Sequence, residues 1–109
     1  MIRVDGHDID YPSDDVARRF CYWLKTNIGR DAKQEFMAEA FQAMRMRRKL
    51  SGYAIVQNIR ARFGYSISND YGPILARLAI AEHPELADLF DLKPVGWGKA
   101  RTFTPDLFD

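Results

Sequence analysis

Apolar side chains recur at three- and four-residue intervals through most of this chain, and capping or chain-breaking residues punctuate each recurrence. That period lays one stripe along a helix, so the pattern predicts a mainly all-α, compact domain of four to five helices. A first helix is expected over about 14 to 28, with Val16, Phe20, Trp23, Leu24 and Ile28 inward. Ser13 precedes it as an N-cap, and Asp14 and Asp15 put carboxylates at its positive end. Gly29 is expected to end it. Asp31 then caps a second helix from about 32 to 49, whose inner side carries Phe36, Met37, Ala40, Phe41 and Met44.

Leu50, Ser51 and Gly52 read as the short break of a helical hairpin, followed by a third helix from roughly 52 to 63 with Ile55, Val56, Ile59 and Phe63 inward. Gly64 closes it. Ser68 or Asn69 caps a fourth helix with Asp70 in its first turn, Ile74, Leu75, Leu78 and Ala79 inward and Arg77 pointing away. His83-Pro84 ends that helix, and Pro84 opens a short fifth one towards Phe90. Both chain ends break the helical period. Ile2 to Val4 and Ile9 to Tyr11 flank a turn at Asp5-Gly6-His7-Asp8, which predicts an extended hairpin. After Leu92, Pro94, Gly96, Gly98 and Pro105 predict an extended arm. Its Val95, Trp97, Phe103, Leu107 and Phe108 either lie against the helices or the hairpin, or mark a partner contact. The chain thus reads as one domain over 1–109: hairpin 1–12, helical core 13–92 and arm 93–109.

A chain of 109 residues can bury one core without disulfides or metals. Its 47% hydrophobic content excludes a disordered chain. The single cysteine, Cys21, cannot form an internal disulfide, and no leader opens the sequence, so a reducing, cytoplasmic setting is expected. The apolar runs are too short to span a bilayer, and no membrane association is expected.

The net charge of +1 conceals an uneven distribution: residues 1–15 carry −4, residues 16–62 carry +8 and residues 63–109 carry −3. Segregation of this kind points to nucleic acid or an acidic partner, unless the acidic ends fold back on the centre. The basic block peaks at Arg45, Arg47, Arg48 and Lys49, where the second helix runs out. A helix C-terminus favours each nearby cation by only ~0.3–1 kcal/mol, which accounts for one or two of the four. The remainder form either a solvated face or a surface for a polyanion.

Catalytic signatures are absent from the sequence. His7, His83 and one cysteine cannot make a structural zinc site. His83-Pro84-Glu85 lacks the cysteine pair of zinc deaminases, and Gly96-Trp97-Gly98-Lys99 lacks the length and following helix of a phosphate loop. No cofactor is implied, and a non-enzymatic role is expected.

Nucleic-acid binding is the better match. The third and fourth helices, joined by a turn that starts at Gly64, resemble a helix-turn-helix. On that reading Tyr65, Ser66, Ser68, Asn69 and Tyr71 face bases or phosphates, while Arg60, Arg62 and the cluster Arg45, Arg47, Arg48 and Lys49 neutralise backbone charge. The motif departs from standard at Arg60, where a small residue belongs, and at Asp70, where an apolar one does. An ordinary antiparallel helix pair is the alternative.

Three runs, Leu50 to Arg60, Ile67 to Arg77 and His83 to Phe90, resemble small, mostly uncharacterised helical proteins of bacteriophages and prophages. The resemblance implies a mobile-element origin and transfers no site residue. The expected function is therefore a small nucleic-acid-binding protein, DNA favoured. The alternative is a protein-binding adaptor or inhibitor using the acidic ends and the aromatic tail.

Overall fold

The computed structural model of the protein describes residues 2–11 and 13–90. Four α-helices form a globule with a two-stranded antiparallel hairpin at its N-terminal end. Strands β1 (Ile2–Val4) and β2 (His7–Ile9) pair Ile2 with Ile9, Arg3 with Asp8 and Val4 with His7. Asp5 and Gly6 between them both take positive φ, 50° and 83°, as a two-residue turn matched to strand twist requires. The second strand therefore starts at His7, earlier than the expected Ile9. Val4 and Ile9 are buried and join the helical core.

Helix α1 (Asp14–Leu24) begins as its sequence predicts, with the Ser13 hydroxyl accepting from the Val16 amide at 3.3 Å. Its end differs from expectation. Helix α2 (Asn27–Arg45) starts four residues before the expected cap at Asp31, because Thr26 caps it by accepting from the Gly29 amide at 3.0 Å. Gly29 is no breaker here. A Cβ at this position would sit 2.1 Å from the Trp23 carbonyl oxygen, so glycine is what lets α2 fold tightly back from α1. Ile28, expected inward, lies in the first turn of α2 and is exposed.

Helix α2 also ends four residues short of the expected Lys49. The Arg47 amide donates to the Met44 carbonyl at 3.1 Å and the Arg48 amide to the Ala43 carbonyl at 2.9 Å, with Arg47 at φ 57°. This is the Schellman termination, with arginine where glycine is usual. Helix α3 (Gly52–Phe63) matches its expected bounds, since Ser51 accepts from the Ala54 amide at 3.0 Å and Gly64 turns left-handed at φ 70°. Phe63, expected inward, is exposed at its last turn.

Helix α4 (Tyr71–Glu82) starts after Asp70, which makes no side-chain cap. The Ser68 carbonyl and hydroxyl instead accept from the Tyr71 and Asp70 amides. A 3-10 turn, Pro84–Asp88, stands in place of a fifth α-helix. The expected arm over 93–109 lies outside the described residues.

Phe20, Leu24, Phe36, Ile55, Ile59, Ile74, Leu75, Leu78 and Leu86 are fully buried in one cluster shared by all four helices and the 3-10 turn. Helices α2 and α3 are antiparallel neighbours, as the cross-links from Glu39 to Asn58 and from Glu35 to Arg62 show. Helices α3 and α4 meet backbone to backbone. A Cβ on Gly52 would lie 2.3 Å from the Gly72 carbonyl oxygen, so the first turns of both helices touch. No helix among the described residues is long and apolar enough to cross a membrane.

Candidate nucleic-acid interface

The tip between α2 and α3 concentrates positive charge. Arg45, Arg47, Arg48 and Lys49 are all exposed, and no carboxylate of the described residues lies in salt-bridge range of any of them. The Schellman geometry produces this outcome. Ending the helix at Arg45 turns the next residues away from the α2 shaft, beyond salt-bridge reach of its Glu35 and Glu39. Met46, 56% exposed, is set among the cations.

Elsewhere, five of the cations meet acids. Asp5, carried by the hairpin turn, accepts from Arg30 at 2.9 Å and Lys33 at 2.7 Å, and Lys33 also reaches Glu82 at 2.6 Å. The bonds from Arg30 and then Lys33, against the opposing effect of burial, hold the Asp5 carboxyl down at about 2. Burial draws the Lys33 amine down, and its bonds to Asp5 and Glu82 more than reverse this, leaving its pKa raised. The acidic N-terminal end thus does fold back on part of the basic centre, at Arg30 and Lys33. Arg19 pairs with Asp15, and Arg3 with Asp8.

Helix α3 divides the remaining candidates between two faces. On the side towards α2, Arg62 donates to Glu39 at 2.5 Å and to Glu35 at 3.4 Å, so its charge is answered internally. Arg62 and Arg48 share a groove of about 180 Å³ with Glu39, Asn58, Met46 and Leu50, and its acid makes it a poor phosphate seat. On the other side, Arg60 donates to the Asn69 side-chain oxygen, which Gln57 also approaches at 3.2 Å. A neutral amide leaves the guanidinium charge uncompensated. Arg60 therefore stays with the tip as an available cation, and Arg62 does not.

The loop from Gly64 to Asp70 is seven residues long, against ~3–4 in a helix-turn-helix, and it runs back beside α3 until Gly72 meets Gly52. The fourth helix consequently begins beside the start of the third, where the motif would begin it beside the end. Tyr71 is corrected from an outward position to a core one. It is 7% exposed, with its ring 5.4 Å from Phe20 and 5.0 Å from Trp23, and burial pushes its hydroxyl pKa up. Ser66 and Asn69 are exposed, while Ser68 is half-buried and spends its hydroxyl on the Asp70 amide. Tyr65 stacks on Phe63 with ring centroids 5.3 Å apart, and the Arg62 guanidinium lies 4.9 Å over Phe63.

Arg77 does not point away from the body as expected. It is half-buried, 5.8 Å from the Tyr11 ring, and donates to the Pro73 carbonyl. Burial raises the Cys21 thiol pKa, the opposite of what a nucleophile needs. Two residues not selected from the sequence, Tyr53 and Gln57, lie on the same side of α3 as Arg60. Their spacing of four and three residues was the available signal. No protein-family model, curated protein or solved structure matches the chain.

Proposed function

We propose that this is a small, non-enzymatic nucleic-acid-binding protein of the phage type its sequence resembles, gripping phosphates through the α2–α3 tip in a cytoplasmic setting, with DNA the favoured ligand. The observation that carries this reading is a contrast in pairing. Arg3, Arg19, Arg30, Lys33 and Arg62 each engage a carboxylate; Arg18, Lys25 and Arg60 do not but stand apart from one another in the chain, whereas Arg45, Arg47, Arg48 and Lys49, with none within salt-bridge range among the described residues, are crowded into five positions. Four adjacent, unanswered charges repel one another, and a polyanion relieves that repulsion by releasing its own counterions. Arg47 adds support: a cation held at left-handed φ, where glycine is easier, keeps charge at a cost in backbone energy.

The test is an ionic-strength titration against labelled random-sequence DNA and RNA. Affinity is expected to fall linearly on logarithmic axes, losing ~0.7–0.9 in slope per phosphate contact removed. Reversal of Arg45, Arg47 and Arg48 to glutamate is expected to abolish binding. A folded triple variant that binds as the parent does would overturn the proposal.

A second reading, a protein-binding adaptor, draws on another observation. Tyr22 is 69% exposed at the rim of a groove of about 450 Å³ that Arg18 and Lys25 also line. A protein partner lost on Tyr22→Ser, with nucleic-acid affinity unchanged, would favour it. A partner retained through that substitution would count against it.

A further inference from the structure

Resting on the nucleic-acid reading above, we propose that the outer stripe of α3, Tyr53, Gln57 and Arg60 with Asn69 beside it, is a subsite for an unpaired base. The ligand class of the tip is then single-stranded nucleic acid.

Tyr53 stands four positions after Lys49, in the first turn of α3, and is 51% exposed. Among the described residues, no ring, cation or hydrogen bond engages its side chain. At ~100° per residue, positions 53, 57 and 60 fall within an arc of about 60° on the helix, which places them on one line leading away from the cationic tip. An aromatic face beside unanswered cations suits a strand whose phosphates are gripped and whose bases are splayed out. A duplex hides those faces in its stack.

The polar members of the stripe are fixed in orientation. Arg60 has only donors, so the Asn69 group facing it is the oxygen, and the same oxygen faces the Gln57 amide nitrogen. Among the described residues, these two bonds leave the Asn69 amide hydrogens and the Gln57 carbonyl uncommitted. One donor group and one acceptor, side by side, are what the edge of an unpaired base requires. The Arg60 guanidinium is not offset by an anion here, because its partner is a neutral amide.

Duplex recognition has less to work with. The first turn of α4, which a helix-turn-helix would insert in the major groove, is closed by the Gly52–Gly72 contact and by Tyr71 turned inward.

The test is fluorescence anisotropy with a labelled oligothymidine and a duplex of the same length, at one salt concentration. The parent protein is expected to prefer the single strand. Tyr53→Ala is expected to weaken oligothymidine binding on the order of tenfold and duplex binding by less than about twofold, with Tyr53→Phe restoring the parent value. The exposed position keeps these variants folded, which circular dichroism melting verifies. Equal losses on both ligands, or no loss on the single strand, while the Arg45, Arg47 and Arg48 reversal still abolishes binding, would remove the base subsite and leave the phosphate grip standing. Failure of the parent chain to bind either ligand would remove both.

Discussion

Arg47 separates what the fold needs from what the tip does. Its φ of 57° places a side chain in the left-handed region at the C′ position of α2, and the Arg47 and Arg48 amides close the Schellman bonds from there. An L-residue in that conformation costs ~1–2 kcal/mol, while glycine in its place brings back ~0.5–1 kcal/mol of unfolded-chain freedom. Removing a cation from the helix end takes back a few tenths more, about 0.3 kcal/mol for an exposed group. Arg47→Gly is therefore expected to stabilise the protein by about 0.5 kcal/mol, or a rise in Tm of ~2–4 °C for a domain of this size.

The same substitution removes a cation from the tip, so the salt slope of nucleic-acid binding is expected to shrink by ~0.7–0.9. Arg47→Lys keeps both the charge and the backbone cost, and it should match the parent in each assay. Calorimetry and the salt titration, run on all three proteins, decide the matter. A lower Tm for Arg47→Gly would show that the arginine holds the fold in a way its exposure does not reveal. An unchanged salt slope would show that position 47 does not reach phosphate.

Two further outcomes follow from the packing. Asp5, with side-chain exposure of 22%, has its pKa lowered from 3.8 to about 2, so its contribution is present above pH 3.8 and lost as pH falls through about 2. The full conversion at ~1.36 kcal/mol per unit is cut by solvent screening at this exposed turn to on the order of 1 kcal/mol. Urea denaturation between pH 5 and 2 should show an acid-sensitive loss that Asp5→Asn removes, since asparagine also tolerates the positive φ; an identical pH dependence in the variant would refute it. Gly52→Ala would force a methyl group against the Gly72 carbonyl, and overpacking against backbone should cost ~3 kcal/mol by denaturant melt; a cost under ~1 kcal/mol would show that the crossing can open freely.

Much of the helical layout was legible because its signals are local. Ser13, Ser51 and Gly64 act within three or four residues of themselves, and the helix ends they predict are where they fall. Gly29 misled because its role is tertiary: it admits the Trp23 carbonyl across a tight interhelical corner, and Thr26, the true cap, carries no signature that outranks a glycine. The charge cluster could be read from sequence, but its sorting could not. Whether Arg60 or Arg62 is neutralised depends on Glu35, Glu39 and Asn69, which only the antiparallel packing of α2 and the return path of the loop bring into range. The inward turn of Tyr71 likewise depends on how closely two glycines let α3 and α4 approach.

The backbone contact between Gly52 and Gly72 has a design consequence. Because the two helices are clamped together main chain to main chain, the exposed ring of Tyr53 carries no share of holding them, while Gln57 and Arg60 tie α3 to the loop through Asn69. Position 53 can therefore be rewritten on an unaltered chassis, and positions 57 and 60 only together with 69. Randomising Tyr53 alone and selecting for new ligands should yield libraries whose members nearly all fold.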